Sequence, residues 1–325
     1  MKSAPDVNRA FDPWNFTLDD FRSEDPAMQG CLELARVASG TDLPILILGE
    51  SGTGKTLLAR AIHSSSKRTK GPFISFNAAA LSDTLLDSQL FGHERGAFTG
   101  ADHRVKGKFE LANGGTLFFD EIGDMSAAGQ AKILRAVEYG EFERLGSETI
   151  QVADVRLISA THFPLRTFIE SDRFRKDLFY RISGMTLTIP PLRERPNDLR
   201  ALIAAETALA SRKQGKSVTG LDRTAADLLF SYHWAGNLRE LSRVIHAAVA
   251  LSQGEIIQAE VILLEKSSKP SLPSGPTPAP DQSLTLKVME QRHIRQVLAE
   301  MGGNKRRAAR ALGLSRSTLD RKLGI

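Results

Sequence analysis

The stretch LPILILGESGTGKTLLARAIH, residues 43–63, decides the fold class of this chain. An apolar run that is typical of a buried strand leads directly into a glycine-rich loop and then into a helical pattern. In this order the backbone N–H groups of the loop can wrap a triphosphate at the N-terminus of the helix. The residues predicted to bind nucleotide are Gly49, Glu50, Ser51, Gly52, Thr53, Gly54, Lys55 and Thr56.

Two side chains of this loop have separate predicted roles. Lys55 reaches the β- and γ-phosphate oxygens, and the hydroxyl of Thr56 can hold Mg²⁺. A glycine-rich structural turn is the alternative, but the strand–loop–helix context argues against it. We therefore expect ATP and Mg²⁺ as cofactors.

Apolar runs alternate with helical patterns along the first half of the chain. The runs are 43–48, 73–76, 116–119, 155–160 and 185–189. Such alternation predicts an α/β fold with a parallel sheet that is covered by helices. From about 196 to 264 the pattern is purely helical, which predicts a smaller helical subdomain.

A second chemical motif follows the run 116–119. Asp120 and Glu121 come at its carboxyl end, where ligands bind in open parallel sheets. Asp120 can hold Mg²⁺ through water, and Glu121 can orient or deprotonate an attacking water molecule. Together with the loop at 49–56, this pair favours ATP hydrolysis over mere nucleotide binding.

Composition narrows the class of protein. The 325 residues are 41% hydrophobic and 25% charged, which is ordinary for a globular chain of two or three domains. No run of 18 apolar residues and no apolar signal core occur, so we expect neither a membrane span nor secretion. The single cysteine, Cys31, excludes disulfides within the chain and predicts a buried thiol in a reducing cytoplasm.

The basic surplus lies entirely in the last segment of the chain. Residues 284–325 hold ten Lys or Arg and three Asp or Glu, a net charge of +7, so the remainder of the +5 chain carries −2. Five prolines in 266–281 predict a semi-extended linker before this segment. The charge predicts a polyanion as the partner of the tail alone.

The tail, residues 302–325, predicts two short helices on either side of Gly313, with Asn304 and Ser315 as N-caps. Its small core is expected to consist of Ala308, Ala309, Leu312, Leu314, Leu319 and Leu323. The predicted contacts to double-stranded DNA are Lys305, Arg306, Arg307, Ser315, Arg316, Ser317, Thr318, Arg321 and Lys322. A solvated basic helical pair is the alternative. The apolar helix before the tail is predicted to pair with a second copy, which implies a palindromic DNA site.

The stretch GHERGAFTGADHR, residues 92–104, has three glycines and neither helical nor strand periodicity. It predicts a mobile loop that carries an exposed Phe98–Thr99 pair at its tip.

Residues 21–264 resemble the AAA+ domain of bacterial enhancer-binding proteins, the ATPases that activate sigma-54 RNA polymerase. The last 42 residues resemble the Fis-type helix-turn-helix that often follows it. The most specific part is the family's GAFTGA signature, here Gly96, Ala97, Phe98, Thr99, Gly100 and Ala101. The resemblance implies that this loop touches sigma-54 through Phe98 and Thr99. An incidental flexible hairpin would not explain a six-residue match between the two ATP motifs.

The resemblance also implies an AAA+ P-loop NTPase fold with a helical lid, followed by a small all-α domain. The expected segments are a short extension (1–20), the α/β subdomain (21–194), the lid (195–265), a linker (266–282) and the helix-turn-helix domain (283–325).

Further site residues follow from the same resemblance. Asn77 matches a switch asparagine that bonds the catalytic glutamate, here Glu121. The segment FRKDLFYRI (174–182) matches the one whose two arginines, here Arg175 and Arg181, reach the γ-phosphate of a neighbouring protomer. Surface salt bridges are the alternative for both arginines. Arg239, in WAGNLREL (234–241), matches a nucleotide sensor, whereas Trp234 is expected to pack inside the lid.

Three positions depart from the family pattern. Thr56 stands where the family usually has Glu, and Ala235 stands where it usually has Pro. His162 follows Thr161 where the family usually has Asn. Histidine can still donate a hydrogen bond, but its geometry differs and its charge can change near neutral pH. Sensing of the γ-phosphate by His162 therefore stays open, and a packed structural histidine is the alternative.

The residues and the resemblance together predict a cytoplasmic, Mg²⁺-ATP-dependent activator of sigma-54 RNA polymerase. We expect a homo-oligomer, from dimer to hexameric ring, with active sites between protomers and an enhancer-like palindrome as its DNA site. Hydrolysis would push the Phe98–Thr99 loop against sigma-54 and open the promoter. The alternatives are a regulator of ordinary polymerase whose ATPase domain is an oligomerisation switch, and a remodeller of an unrelated protein.

Control is expected to come from a separate regulatory protein acting in trans. Family members often carry a regulatory domain before the ATPase, whereas here the resemblance starts near Phe21. About twenty residues bury too little apolar area to fold independently, since roughly 40 are usually needed.

Overall fold

The computed structural model describes residues 16–78, 83–264, 294, 304–312, 314 and 318–319. The chain divides into two compact units, Met1–Glu265 and Lys266–Ile325, and each is described by itself. None of the helices in the described ranges is long and apolar enough to cross a membrane.

The strands of the first unit include all five predicted apolar runs. In chain order they are β1 (Ile45–Leu48), β2 (Phe73–Asn77), β3 (Gly92–His93), β4 (Val105–Lys106), β5 (Thr116–Asp120), β6 (Glu141–Glu143), β7 (Ile150–Val152), β8 (Arg156–Thr161), β9 (Met185–Thr188), β10 (Gly220–Leu221) and β11 (Ile256–Ile257). A five-stranded sheet has the order β2-β5-β8-β1-β9, and each neighbouring pair in it is parallel. The predicted α/β fold with a parallel sheet is confirmed.

Helices alternate with these strands. They are α1 (Pro26–Ser39), α2 (Lys55–Ser64), α3 (Asp83–Phe91), α4 (Lys108–Leu111), α5 (Ala127–Tyr139), α6 (Leu165–Glu170), α7 (Lys176–Ile182), α8 (Pro196–Gln214), α9 (Arg223–Ser231), α10 (Asn237–Leu251) and, in the second unit, α11 (Lys305–Ala311). Short 3-10 helices lie at Leu18–Asp20, Ile122–Asp124, Leu192–Glu194 and Ala259–Val261.

Alternate residues of the central strands pack on opposite faces of the sheet. Leu117 and Phe119 belong to the core layer that α3, α5 and α7 cover, whereas Phe118 belongs to the layer beneath α1 and α2. All three side chains are fully buried. This alternation follows from the period of two in a strand, and it explains why the run reads as continuously apolar. Cys31 lies in the second layer, and burial raises the pKa of its thiol to about 11.

The short segment before α1, from residue 16 on, packs against the body. Phe16 and Leu18 pack against the second core layer, and Leu18 is only 2% exposed. The rings of Phe16 and Phe21 meet edge to face, with centroids 4.9 Å apart. Residues 16–20 therefore pack on the body, and the boundary expected at residue 20 stays a prediction.

The lid is formed by α8, α9 and α10 around a separate core. Trp234 is fully buried there and donates its indole N–H to the carbonyl oxygen of Leu229 at 3.0 Å, so its predicted packing role is confirmed. The pattern predicted a purely helical lid, but β10 and β11 form a short parallel pair in it. The pattern missed this pair because two-residue strands are too short to leave a periodic signal.

The second unit contains α11 and a small core. Asn304 Oδ1 accepts hydrogen bonds from the backbone N–H groups of Arg306 and Arg307, each at 3.2 Å, which confirms the predicted N-cap. The described core residues of this unit are Ile294, Ala308, Ala309, Leu312, Leu314 and Leu319. Leu323 and the second predicted cap, Ser315, lie outside the described residues.

Candidate functional site

Residues 49–56 form a tight loop between β1 and α2. Gly54 caps α2 with φ 100°, a left-handed conformation that favours glycine. Gly52 has φ 79°, and a Cβ there would come within 2.3 Å of the carbonyl oxygen of Gly236 in the lid. Both positions therefore need glycine, and the second also needs it for close approach of the lid backbone.

Lys55 is held inside this loop and is only 6% exposed. Its Nζ donates to the carbonyl oxygens of Gly49 at 2.9 Å and Glu50 at 3.3 Å. The same atom lies 3.4 Å from Oε1 of Glu121. The predicted phosphate-binding ammonium group and the predicted catalytic carboxylate are therefore neighbours.

A cavity of about 170 Å³ opens on the loop. It is lined by Ser51, Gly52, Gly54, Lys55, Thr56, Asp120, Glu121 and Arg239. The sequence assigned each of these residues to nucleotide, metal or catalysis, and the fold brings them together from the loop, the end of β5 and the lid. Glycines at the point of closest backbone approach, a buried ammonium group and a helix N-terminus are the features that suit a polyphosphate.

Asp120 and Thr56, the predicted Mg²⁺ ligands, contact each other in this cavity. The Thr56 hydroxyl donates a hydrogen bond to the Asp120 carboxylate. Burial and the neighbouring charge of Glu121 raise the pKa of Asp120 above its usual value. A divalent cation would oppose both effects, and oxygen atoms of these types are what Mg²⁺ prefers. Asn77, the predicted switch residue, is exposed at the end of β2 in register with Asp120.

Glu121 has a left-handed backbone, with φ 52° and ψ 50°, which costs a non-glycine residue about 1–2 kcal/mol. Its Oε2 accepts hydrogen bonds from Nδ1 of His162 at 2.7 Å and from the His162 backbone N–H at 3.2 Å. Although burial raises it, the hydrogen bond from His162 and the charge of Lys55 hold the pKa of Glu121 below its usual value. Glu121 is therefore ionised at neutral pH. His162 binds this carboxylate and also packs on the ring of Phe163, with centroids 3.8 Å apart, so whether it serves nucleotide sensing or structure stays a prediction.

A group of residues that we call the clasp joins the loop to the lid and to the short helix before it: Glu50 of the loop, Arg193 of Leu192–Glu194 and Asn237 of α10. The guanidinium of Arg193 donates to both Glu50 oxygens, at 2.9 and 2.6 Å. Asn237 Nδ2 donates to Glu50 Oε2 at 3.1 Å, and its Oδ1 accepts from the Leu192 N–H at 2.7 Å. The hydrogen bond from Arg193 is the main reason that the pKa of Glu50 is lowered.

Two further contacts join the lid to the loop. Arg239, the predicted sensor, donates from Nη1 to Ser51 Oγ at 3.1 Å. The backbone N–H of Leu238 donates to the carbonyl oxygen of Gly52 at 3.0 Å. The first turn of α10 therefore touches the loop through both side chain and backbone.

Arg175 and Arg181 do not line the nucleotide cavity of their own chain. Arg175 forms two hydrogen bonds with Asp177, at 3.0 and 2.6 Å, and both side chains are about half exposed. Arg181 donates from Nη2 to the carbonyl oxygen of Glu138 at 2.6 Å, beside a larger cavity of about 620 Å³ that has no phosphate-binding loop. Their role at a neighbour's nucleotide stays a prediction.

Residues 94–104 form the tip of a hairpin, because β3 (Gly92–His93) and β4 (Val105–Lys106) pair antiparallel on either side of them. Thr99 is exposed, as predicted, but Phe98 is half-buried and not bare. The Phe98 ring stands edge-on to the ring of His93, with centroids 4.9 Å apart. His93 is 8% exposed and is itself bonded through Nδ1 to the hydroxyl of Ser88 at 2.8 Å. Sequence periodicity missed both the two-residue strands and this contact.

An ionic group that we call the hairpin base supports the loop. Arg144, only 7% exposed, donates to Glu94 at 3.0 Å and to Glu110 at 2.9 and 3.2 Å. The second hairpin, β6–β7, touches the first through the hydrogen bond from Leu145 N–H to the carbonyl oxygen of Gly92 at 3.0 Å. Together these contacts attach the base of the loop to the body.

Among the predicted DNA contacts, Lys305, Arg306 and Arg307 lie on the first turn of α11, and the two arginines are exposed. Thr318 is half-buried and lies in a described helical pair of residues. The remaining predicted contacts lie outside the described residues: Ser315, Arg316, Ser317, Arg321 and Lys322.

Sequence reasoning missed several residues of this site. Arg193 and Asn237 were not assigned a role, and Glu50 was assigned to nucleotide although its side chain binds the lid. His93 was not connected with Phe98. These contacts join positions that are far apart in sequence or lie within a loop, so no periodic pattern marks them. His162, by contrast, carried a signal, since it is one of the three positions that depart from the family pattern.

Comparison with known families accounts for most of the chain. Residues 21–188 match the Sigma-54 interaction domain, residues 193–274 match the AAA+ ATPase lid domain, and residues 285–324 match the Fis family of bacterial regulatory proteins. These families are the ones that the sequence motifs resemble, and the lid match continues beyond the lid boundary expected at 265.

Individual relatives extend the same similarity. The transcriptional regulatory protein ZraR of Escherichia coli K12 is 44% identical over 298 residues, which cover 92% of this chain and 67% of ZraR. The Nif-specific regulatory protein of Klebsiella pneumoniae is 41% identical over 301 residues, covering 92% of this chain and 57% of that protein. The crystal structure of NtrX from Brucella abortus in complex with ATP superposes with a TM-score of 0.69 at 31% identity, covering 94% of this chain and 68% of NtrX.

Proposed function

The chain belongs to the family of sigma-54-dependent transcription activators, with an AAA+ ATPase domain and a Fis-type DNA-binding domain, and from this premise we propose how its residues divide the work. The protein activates transcription through sigma-54 and is an ATPase. Hydrolysis takes place in the cavity at residues 49–56. The loop at 96–101 contacts sigma-54 and is moved against it by hydrolysis. The proposal is carried by one observation: Lys55, Asp120 and Glu121 meet in one cavity, while Phe98 and Thr99 are not among its lining residues.

Lys55 binds the phosphates, and the loop N–H groups orient them. Thr56 and Asp120 would hold Mg²⁺, which when bound would supply positive charge opposite the phosphate oxygens. Among the described residues no group of three His, Cys, Asp or Glu could hold a metal alone, which fits an ion that is shared with substrate phosphates. Glu121, ionised because of His162 and Lys55, orients the attacking water.

Asn77 is proposed to couple the nucleotide state to the loop, and Arg239 to report it to the lid. Arg175 and Arg181 are proposed to act on the nucleotide of the next protomer, since planar guanidinium groups suit phosphoryl charge and neither lines its own cavity. Such action on a neighbouring protomer requires a ring, and we propose that dimers assemble into a hexamer. We propose the cytoplasm as the place where this hexamer acts. The domain limits proposed are 16–194, 195–265 and 283–325.

We propose that the DNA-binding tail holds this ring at a palindromic, enhancer-like site. The exposed Arg306 and Arg307 on the first turn of α11 suit phosphate contacts. Regulation of ordinary polymerase was the alternative function, and the match to a Sigma-54 interaction domain argues against it.

The direct test uses Glu121→Gln with purified full-length protein. Nucleotide affinity should stay within about threefold of the native value, and turnover should fall at least about 100-fold, because an amide is a far poorer base. Glu138→Gln, in α5 outside the cavity, is the matched control and should turn over normally. Normal hydrolysis by Glu121→Gln would overturn the assignment.

The arginines are tested by mixing protomers. Arg181→Ala and Arg175→Ala should each stop hydrolysis and keep nucleotide affinity. A mixture of Arg181→Ala with Lys55→Ala should regain activity, because one kind of interface then has a complete site. Mixed rings without any recovery would contradict action in trans.

A further inference from the structure

The two oxygens of the Glu121 carboxylate are held differently. Oε2 accepts two hydrogen bonds from one residue, at 2.7 Å from His162 Nδ1 and at 3.2 Å from its backbone N–H. Oε1 is the atom that lies 3.4 Å from Lys55 Nζ. Oε2 is therefore held by His162, the residue that follows β8, and Oε1 faces the ammonium group of Lys55 in the phosphate-binding loop.

His162 stands beside the nucleotide cavity rather than in its lining. Glu121 lines that cavity and His162 does not, although the imidazole is 38% exposed. A sensor of the γ-phosphate would have to contact the phosphate itself. The observed partner of the imidazole is the carboxylate.

The ring of His162 is supported by rigid neighbours. It follows β8, in which every residue is buried, and it packs on the Phe163 ring with centroids 3.8 Å apart. Phe163 in turn packs on Phe168 of α6 at 4.9 Å. The backbone N–H of Phe163 is tied to the Thr161 hydroxyl at 3.1 Å. A donor mounted in this way can fix the direction of a carboxylate.

We infer that His162 is a positioning residue for Glu121: it pins Oε2 from beside the cavity so that Oε1 faces the phosphate-binding end. The inference rests on the proposed role of Glu121 and adds a residue to it. His162 holds the acid that orients water and does not read the γ-phosphate. This assigns a role to one of the three positions at which the chain departs from the family pattern.

The size of the effect follows from what remains when the side chain is changed. The backbone N–H of residue 162 still donates to Oε2 in every variant, so Glu121 is loosened and not released. Misplacing a reacting group by about 1 Å can cost about 100-fold in rate. Loss of the Nδ1 donor should therefore lower kcat by about 10- to 100-fold, which is less than the loss caused by Glu121→Gln.

Two substitutions separate the donor from the ring. His162→Phe keeps an aromatic ring against Phe163 and removes the donor, whereas His162→Asn keeps an amide donor at the Nδ1 position and removes the ring. We expect His162→Phe to lose kcat by about 10- to 100-fold with KM and ATP affinity within about twofold. His162→Asn should retain kcat within about fivefold. The melting temperatures of both proteins show whether either effect is a folding defect.

A purely structural role of the ring predicts the opposite order, with His162→Asn unstable and slow and His162→Phe normal. That order would overturn the inference. A γ-phosphate sensor predicts that His162→Phe loses the preference for ATP over ADP in equilibrium binding, and this result would overturn it as well.

The double variant Glu121→Gln/His162→Phe keeps this inference distinct from the proposed function. If His162 acts through Glu121, the double variant should turn over no more slowly than Glu121→Gln alone. Normal hydrolysis by Glu121→Gln would refute the role of Glu121 itself. An impaired Glu121→Gln with a normal His162→Phe would refute only the positioning role, as would additive losses in the double variant.

Discussion

The nucleotide site and the tip of the loop at 96–101 are held in opposite ways. Lys55 and Glu121 each have several partners, and a cavity encloses them between sheet and lid. At the tip, Gly96 and Gly100 have no atom within 4 Å of the place where a side chain would begin, among the described residues. The tip is closed mainly on itself, through hydrogen bonds such as Gly96 N–H to the carbonyl oxygen of Ala101 at 2.9 Å.

The difference follows from what each region has to do. Chemistry needs groups fixed in advance, because disorder in a catalytic group lowers the rate directly. A segment that moves against a partner must have few contacts to break. Among the described residues, the Phe98 ring has an edge-to-face contact with His93, and its carbonyl oxygen accepts a hydrogen bond from the Ala101 N–H within the tip itself. Four substitutions test this contrast, from the largest expected effect to the smallest.

Lys55→Ala should have the largest effect, the loss of nucleotide binding at the rigid site. It removes the buried ammonium group of the loop, and charge-assisted hydrogen bonds to phosphate are worth about 1.5–3 kcal/mol each. ATP affinity should fall at least about 100-fold in a titration with a fluorescent analogue. Lys70→Ala, an exposed lysine beyond α2, is the control. Unchanged binding by Lys55→Ala would show that residues 49–56 are not the phosphate site.

Thr99→Ala should impair the action of the loop at 96–101 on sigma-54 and leave ATP hydrolysis at the nucleotide site intact. Turnover should stay within about twofold, while transcription from a sigma-54 promoter falls by about 10- to 30-fold, the usual cost of losing a central contact residue. Thr224→Ala, exposed on α9, should change neither. A Thr99→Ala protein that opens promoters normally would contradict the contact role.

Glu50→Gln should loosen the clasp between loop and lid without touching the phosphates. The pair with Arg193 is partly exposed, with Glu50 at 41%, so the expected loss of nucleotide affinity is only about two- to fivefold. Glu194→Gln is a matched control, because Glu194 lies 3.8 Å from the same guanidinium but is 62% exposed. Equal effects of both substitutions would mean that the clasp does not report on nucleotide.

His93→Ala should release Phe98, the smallest of the four effects. An aromatic contact is worth about 0.5–1.5 kcal/mol, and one at a half-buried tip is expected at the lower end, so amide hydrogen exchange at 96–101 should speed up by about two- to threefold. Ser88→Ala keeps the His93 ring and removes its hydrogen bond, so it serves as the control. Exchange that rises as much in Ser88→Ala would show that the support of His93, and not ring contact, holds the tip.

The fold was predictable because its signals are local. Each central strand is buried on both faces, so runs such as 116–119 are apolar without interruption. The phosphate-binding loop at 49–56 was equally predictable, because the spacing of its glycines and lysine follows from the backbone conformation that the loop adopts. Sheet order and the clasp were not, since Glu50 and Arg193 are 143 residues apart and charged residues at the surface are common. The contact between Phe98 and His93 was not predicted, because His93 belongs to a strand of only two residues, which leaves no periodic pattern.

The buried Arg144 of the hairpin base has a consequence for ionic strength. At 0.1 M, salt largely screens interactions between exposed charges that lie more than about 10 Å apart, and it screens buried pairs much less. Each phosphate contact of a DNA-binding tail, by contrast, contributes a slope of about −0.9 in log affinity against log salt. The exposed Arg306 and Arg307 are therefore sensitive to salt, while Arg144, 7% exposed, is shielded from it. Raising the salt concentration should release this protein from DNA long before it disturbs the support of the sigma-54 loop.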